Sequence, residues 1–181
     1  PALRLDFSDR LRPGAAKAVS DIAASGRRVM LLSGDASPVV AELAERLGIA
    51  DWRAEISPRG KAEVISDLAS VGHKVLMVGD GLNDTAALAA AHVSISPATA
   101  LDAARVASDI VTLGSDLDPV AEALHVARAA RRRIRENFAL SLGYNVVAVP
   151  FAIAGFATPL MAALAMSLSS ISVTLNALRL R

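Results

Sequence analysis

The chain has 181 residues and a formal net charge of +1, so bulk electrostatics offer no case for nucleic acid as a partner. It contains no cysteine, which excludes disulfides and thiolate metal sites within it. Hydrophobic residues make up 53% and aromatics only 3%, and the apolar excess is unevenly spread, gathered late in the chain.

Leu3, Leu5 and Phe7 alternate as in a strand. The first six residues carry charge without an apolar core, so they do not form a signal peptide. The absence of an initiator Met marks Pro1 as an unnatural start and the chain as a piece of something longer. After Asp9-Arg10-Leu11-Arg12-Pro13, with Pro13 suited to a first helical turn, residues 15–24 are apolar at helical spacing and Gly26 closes the helix. Residues 28–32 read as a strand ending in Ser33-Gly34-Asp35, and Ser37-Pro38 opens a helix that runs to Arg46 and stops at Gly48. A short strand is predicted over 53–56, a helix from Pro58 to near Gly72, a strand over 75–78 and an Ala-rich helix over 86–91. A strand over 92–95, a helix over 98–107 and a last strand over 110–113 follow. Such alternation implies an α/β domain of three layers, a parallel sheet with helices on both faces, over residues 1–115.

A linking helix is predicted over 116–136, starting near Asp118-Pro119 and ending at Arg131, Arg132, Arg133 and Arg135. Residues 137–178 contain no charge, a run of 42, about twice the ~20 residues that cross a bilayer as a helix. They divide into two apolar helices, 137–156 and 158–178, about a turn at Gly155 to Pro159. Arginines flank the pair (Arg179 and Arg181 behind it), which puts both ends in the cytoplasm and the turn outside. The competing reading is a hairpin buried in a soluble core.

The most informative stretch is Gly79-Asp80-Gly81-Leu82-Asn83-Asp84, directly after an apolar strand. Ligands of open α/β sheets sit at the carboxyl ends of the strands. Gly79 and Gly81 let the backbone turn and approach a ligand closely. A dinucleotide site would need a third glycine where Asp84 stands, and two acids would repel a bare pyrophosphate. Acids beside phosphate make sense with a hard cation between them, so Asp80 and Asp84 read as a Mg2+–phosphate site. The plainer alternative is a polar turn in which Asn83 or Asp84 caps the following helix. Ser33-Gly34-Asp35 reaches the same sheet edge, where a hydroxyl and backbone N–H groups can hold phosphate oxygens. Asp35 has two readings, a moving joint or a helix cap. Lys61, early in its helix, can reach a phosphate as a point charge, or be an ordinary solvated lysine.

Taken in order, Ser33-Gly34-Asp35, Pro58 with Lys61, and Gly79-Asp80-Gly81-Leu82-Asn83-Asp84 resemble the motifs of P-type ATPases, whose phosphorylation domain has the haloacid-dehalogenase fold. Asp9-x-Leu11-Arg12-Pro13 resembles the segment re-entering that domain after the nucleotide-binding insertion. Tyr144-Asn145 and Met166-Ser167-Leu168-Ser169-Ser170 resemble the copper(I)-exporting branch of heavy-metal pumps. Chemistry agrees in part: a thioether suits soft Cu(I), Met166 and Ser170 share a helix face, and Tyr144 lies roughly 11 Å into its helix. The alternative is that Asn145, Ser169 and Ser170 serve only as helix–helix glue. Pro97-Ala98-Thr99, where the family usually has Gly-x-Gly-Thr-Asp, resembles the pumps serving cytochrome oxidase assembly, and Ser33 replaces the usual threonine.

The resemblance implies an ATP- and Mg2+-dependent pump of the bacterial plasma membrane with a cytoplasmic soluble domain. Asp80 and Asp84 would serve Mg2+, with Asn83 ordering its shell, and Ser33, Gly34 and Lys61 the phosphoryl group. Tyr144, Asn145, Met166 and Ser170 would serve the transported Cu+. Implied partners are copper(I), membrane lipid, a copper chaperone and the upstream domains of the same pump. The family's phosphorylated Asp-Lys-Thr-Gly is absent, so the chain alone would be inactive. Two rivals remain: a membrane-tethered phosphatase of the same fold, for which Asp6 is the sole candidate nucleophile, and a non-catalytic fragment whose hairpin binds partner helices.

Overall fold

The computed structural model describes residues 11–114 and 116–179. The expected opening strand, Asp6, Asp9 and Arg181 lie outside them. The chain divides into two compact units, Pro1–Ala121 and Glu122–Arg181.

The first unit has the expected α/β alternation: α1 (Ala15–Ala24), β1 (Met30–Leu32), α2 (Ser37–Leu47), β2 (Asp51–Arg53), α3 (Pro58–Ser70), β3 (Leu76–Val78), α4 (Thr85–Ala90), β4 (Val93–Pro97), α5 (Asp102–Val106) and β5 (Ile110–Thr112). All observed pairings are parallel, β1 with β2 and β3-β4-β5 in that order, so the described sheet is in two pieces. α1 packs on α2 and α3 on α4. Ile65, Leu88, Ile95 and Val40 are the large buried apolar side chains. Leu88 clusters with Ala100 and Ala104, and Met77 and Ala107 pack against them, which joins α4, α5 and β3 below the loop that follows β3.

Several boundaries moved for local reasons. Pro13 precedes α1, whose N-cap is Gly14 in the left-handed region. β2 ends at Arg53 because Glu55 has φ +55° and the Ile56 N–H turns back to the Ser33 carbonyl at 3.0 Å. The helix predicted over 98–107 shrinks to α5, since the Ala98 N–H extends the ladder by donating to the Thr112 carbonyl at 2.8 Å. A reciprocal clamp closes the start of β4: the Ser94 N–H and hydroxyl donate to Asp109 Oδ2 at 2.8 and 2.9 Å, and the Asp109 N–H donates to the Ser94 hydroxyl at 3.1 Å.

The linking helix and first apolar helix are one element, α6 (Asp118–Ile153), 36 residues or about 54 Å at 1.5 Å per residue. No breaker separates the arginines from the apolar part, and Pro150 falls inside the helix. α7 (Pro159–Leu178) starts at the N-cap Thr158, whose hydroxyl accepts from the Met161 N–H at 3.3 Å. Among the described residues, α7 is the one helix long and apolar enough to cross a membrane by length and composition. None of its residues is buried, and Phe138, Leu142 and Val147 of α6 are also exposed. Within the described residues, the hairpin's apolar faces are thus not covered by a core of the chain's own.

The two Ser94 hydrogen bonds hold the Asp109 carboxyl below its ordinary pKa. A depressed carboxylate contributes stability above its unfolded pKa and loses it as pH falls through the folded one. Asp109→Ala should lower the melting temperature at pH 7, read through Trp52, the single tryptophan. Its deficit against wild type should shrink below about pH 4. A deficit that persists unchanged in acid would rule out the clamp as its cause.

Candidate functional site

The carboxyl ends of β1, β2 and β3 carry the predicted site residues. β3 leads through Gly79 and Asp80 into a 3-10 turn, Leu82–Asp84, and then α4. Asp84 is the N-cap of α4 but makes no side-chain cap bond. Its carboxylate instead accepts from Lys61 Nζ on Oδ1 at 2.8 Å, and from the Gly81 N–H on Oδ2 at 3.4 Å. Asp84 thus stands at the N-cap position of α4, as the alternative reading had it, while its carboxylate serves Lys61 and the Gly81 N–H. Lys61 and Asp84 are each 13% exposed, so the pair is nearly dry. Lys61 is placed by α3, whose N-cap Ser57 accepts from the Gly60 N–H at 3.1 Å and whose first residue is Pro58. The glycine at 79 is sterically required, since a Cβ there would lie 2.8 Å from Asp84 Cβ.

Asp80 makes no hydrogen bond or ion pair with Lys61 among the described residues. Its Oδ2 accepts from Arg12 Nη2 in an ion pair whose side chains are 35% (Arg12) and 50% (Asp80) exposed. Its Oδ1 accepts no hydrogen bond among the described residues. Arg12 Nη1 also donates to Thr99 Oγ1 at 3.4 Å, and the Asp80 carbonyl accepts from the Leu101 N–H at 3.3 Å. Asn83 is exposed, and its side chain makes no hydrogen bond among the described residues.

After β1, the Ser33 hydroxyl donates to Asp35 Oδ2 at 2.7 Å, and the Asp35 N–H donates back to Ser33 Oγ at 3.2 Å. Asp35 therefore does not cap α2. Its N-terminal Ser37 N–H is met by Glu55 Oε1 at 3.3 Å. The loops after β1 and β2 are stitched by the Ser33–Ile56 and Asp35–Glu55 backbone bonds. Among the described residues, neither Ser33 nor Asp35 forms a hydrogen bond or ion pair with Asp80, Asp84 or Lys61. Gly34 lies against β2's loop, where an added Cβ would sit 3.4 Å from the Ile56 carbonyl oxygen.

In the second unit, Tyr144 and Asn145 of α6 and Met166 and Ser170 of α7 line one open groove with Ser141 and Ser169. Asn145 Nδ2 donates to the Ser141 carbonyl of its own helix at 2.9 Å, so this amide is not the bond between helices. That role falls to Asn176 Nδ2, which donates to Asn137 Oδ1 at 2.8 Å, and to Arg133, which donates to Asn176 Oδ1 at 3.4 Å. Arg133 and Arg132 also bind Glu136, and they hold its carboxyl down at about 2.

Arg12, Thr99, Asn137 and Asn176 were missed in the sequence. The available signals were Arg12 inside Leu11-Arg12-Pro13, Thr99 in the variant Pro97-Ala98-Thr99 turn, and two asparagines near opposite ends of an uncharged run, none of which showed its partner.

Lys61→Met should destabilise the α/β unit by about 2–4 kcal/mol, because it leaves Asp84 nearly dry without a counter-charge. Lys61→Met with Asp84→Leu should be more stable than Lys61→Met alone, a coupling readable by urea titration of Trp52 fluorescence. Additive losses would mean that the pair is not a unit.

A family model described as haloacid dehalogenase-like hydrolase matches residues 4–92. The nitrogen fixation protein FixI of Rhizobium leguminosarum bv. viciae is 53% identical over 98% of this chain and 23% of its own length. The copper-exporting P-type ATPase of Mycobacterium tuberculosis (strain ATCC 25618 / H37Rv) is 43% identical over 96% of this chain and 23% of its own. A crystal structure of a zinc-transporting PIB-type ATPase in the E2.Pi state superposes with a TM-score of 0.89 at 31% identity, covering 95% of this chain and 28% of that one. The chain spans about a quarter of the length of the curated relatives it matches. Over nearly its whole length, then, the chain's homologues are heavy-metal P-type ATPases, with a haloacid dehalogenase-like model over residues 4–92.

Proposed function

We propose that this chain forms part of an ATP-driven pump that moves copper(I) across a membrane through a phosphoaspartate supplied by a segment outside it. The observation that carries this reading is the Lys61–Asp84 pair beside Asp80 at the carboxyl rim of the sheet. It is the arrangement that phosphoryl transfer uses, where catalysis is mostly positioning and charge stabilisation.

Mg2+ fits the donor chemistry here. Asp80 offers a half-exposed carboxylate with one oxygen outside any hydrogen bond among the described residues, a hard ligand suited to a hard cation. Asp80 would hold the ion, which when bound supplies charge neutralisation for phosphate oxygens. Asp84 has both oxygens engaged by Lys61 and Gly81, so it would act from behind, ordering the shell with Asn83. Lys61 has three donors and gives one to Asp84, which leaves its charge for a phosphoryl oxygen. The Gly34 N–H would hold another oxygen, and the Ser33 hydroxyl would join it by turning its single proton from Asp35 Oδ2 to the phosphoryl group.

Copper(I) is the cargo supported by the groove. Its lining offers a thioether, a phenol, an amide and hydroxyls, and it includes no Cys, His, Asp or Glu of the kind Zn2+ prefers. α6 bears both the start of the linking helix at Asp118 and the groove residues Tyr144 and Asn145 in one unbroken element. A rotation of its first turns would be felt at the cargo site, as a two-state pump requires. The apolar part of α6 would pair with α7 in the membrane, with lipid around both and the α/β unit in the cytoplasm. The Pro97-Ala98-Thr99 turn supports the oxidase-assembly branch, and a copper chaperone would deliver the ion.

The test uses the whole ATPase containing this chain. Asp80→Asn should leave little acylphosphate from ATP at millimolar Mg2+. Met166→Leu should still be phosphorylated by inorganic phosphate but lose the copper dependence of phosphorylation by ATP. Normal phosphoenzyme in Asp80→Asn, or unchanged copper dependence in Met166→Leu, would defeat the corresponding assignment.

A further inference from the structure

We infer that Arg12 is a tethered cation that occupies Asp80 when no Mg2+ is bound and competes with the ion for that carboxylate. The inference rests on Asp80 being the Mg2+ ligand proposed above. Arg12 stands just before α1, 68 residues from Asp80, yet its guanidinium bonds Asp80 Oδ2. Its other terminal nitrogen is anchored to Thr99 Oγ1 in the turn after β4. That turn is itself tied to Asp80, because the Leu101 N–H donates to the Asp80 carbonyl. The three groups form a closed loop: Thr99 aims Arg12, Arg12 holds the acid, and the acid's backbone holds the turn.

The energetics suit exchange. Both side chains are substantially exposed, 35% and 50%, and an ion pair in that setting is weak enough to break readily. Asp84 shows the contrast, since its partner Lys61 is nearly dry and fixed. Mg2+ demands closely placed oxygens in near-octahedral geometry, and a guanidinium on the same carboxylate both blocks a lone pair and repels the ion. Mg2+ would enter at the open Oδ1 against the guanidinium's charge and its claim on Oδ2, so the hold of Arg12 sets the Mg2+ concentration at which the site fills. The unusual Pro97-Ala98-Thr99 turn supplies the hydroxyl that keeps Arg12 in reach.

The test is Mn2+ binding, followed by electron paramagnetic resonance in the whole ATPase without nucleotide. Arg12→Gln should bind Mn2+ roughly 1.5- to fivefold more tightly than wild type, the range that loss of one exposed ion pair allows. Arg12→Lys, which keeps the charge but loses the fork, should fall between the two. Thr99→Val should shift affinity in the same direction by less, and it decides the matter if Arg12→Gln does not fold. Unchanged or weaker binding in Arg12→Gln, or in Thr99→Val where that variant decides, overturns the competition. Asp80→Asn separates the two levels. If it abolishes Mn2+ binding while Arg12→Gln changes nothing, only the role of Arg12 fails. If it binds like wild type, the Mg2+ assignment fails and takes the inference with it.

Discussion

The ion pair between Lys61 and Asp84 is the constraint on which the rest of the site depends. It ties the first turn of α3 to the loop leaving β3, 23 residues later, at 2.8 Å and nearly out of water. A charge pair this dry is costly unless both partners are present and well oriented. Several local features serve that orientation. Ser57 and Pro58 start α3 at the right residue, and Gly79 leaves room for Asp84 where any side chain would collide. The Gly81 N–H takes the second oxygen. Once Asp84 is held, the chain between Gly79 and Asp84 has little freedom, and Asp80 must project from the rim of the sheet.

The two acids of the loop consequently have different characters. Asp84 is a fixed structural anion with a permanent counter-charge. Asp80 is half in water with a partner that arrives from far along the chain. Of the two, Asp80 has the exposed, exchangeable carboxylate that the proposed Mg2+ role requires. A comparable division holds in the second unit. The Asn137–Asn176 bond and the Arg133 donation to Asn176 Oδ1 fasten α6 to α7 near one end. The groove of Tyr144, Asn145, Met166 and Ser170 lies apart from that fastening and keeps its thioether exposed. In both units, fixed polar pairs hold the frame and leave a neighbouring donor set open.

Much of this was readable from residue order. Punctuation by Gly26 and Gly48 gave the bounds of α1 and α2 closely, and glycine between two acids after an apolar strand located the rim. Three features were not readable, each for a physical reason. The capping role offered to Asp84 and Asp35 is a local rule, and tertiary partners overrode it: Lys61 took Asp84, Ser33 took Asp35, and Glu55 served the start of α2. Strand β2 ended early because a left-handed Glu55 cannot continue a ladder, and nothing about glutamate announces that conformation. Arg12 and Thr99 were invisible because their contacts with Asp80 span distances in sequence that no periodicity encodes. The join of the linking helix to the first apolar helix was missed for the opposite reason. A change in composition at Glu136-Asn137 suggested a boundary where the backbone has none.

The most direct measurement is a structure of the whole ATPase bound to Mg2+ and beryllium fluoride, a mimic of the phosphorylated state. The expected density places the ion on Asp80, Lys61 against the fluoride while still bonded to Asp84, and Arg12 turned away from Asp80. An ion bound elsewhere, with Asp80 still paired to Arg12 and Lys61 remote from the fluoride, would contradict the account.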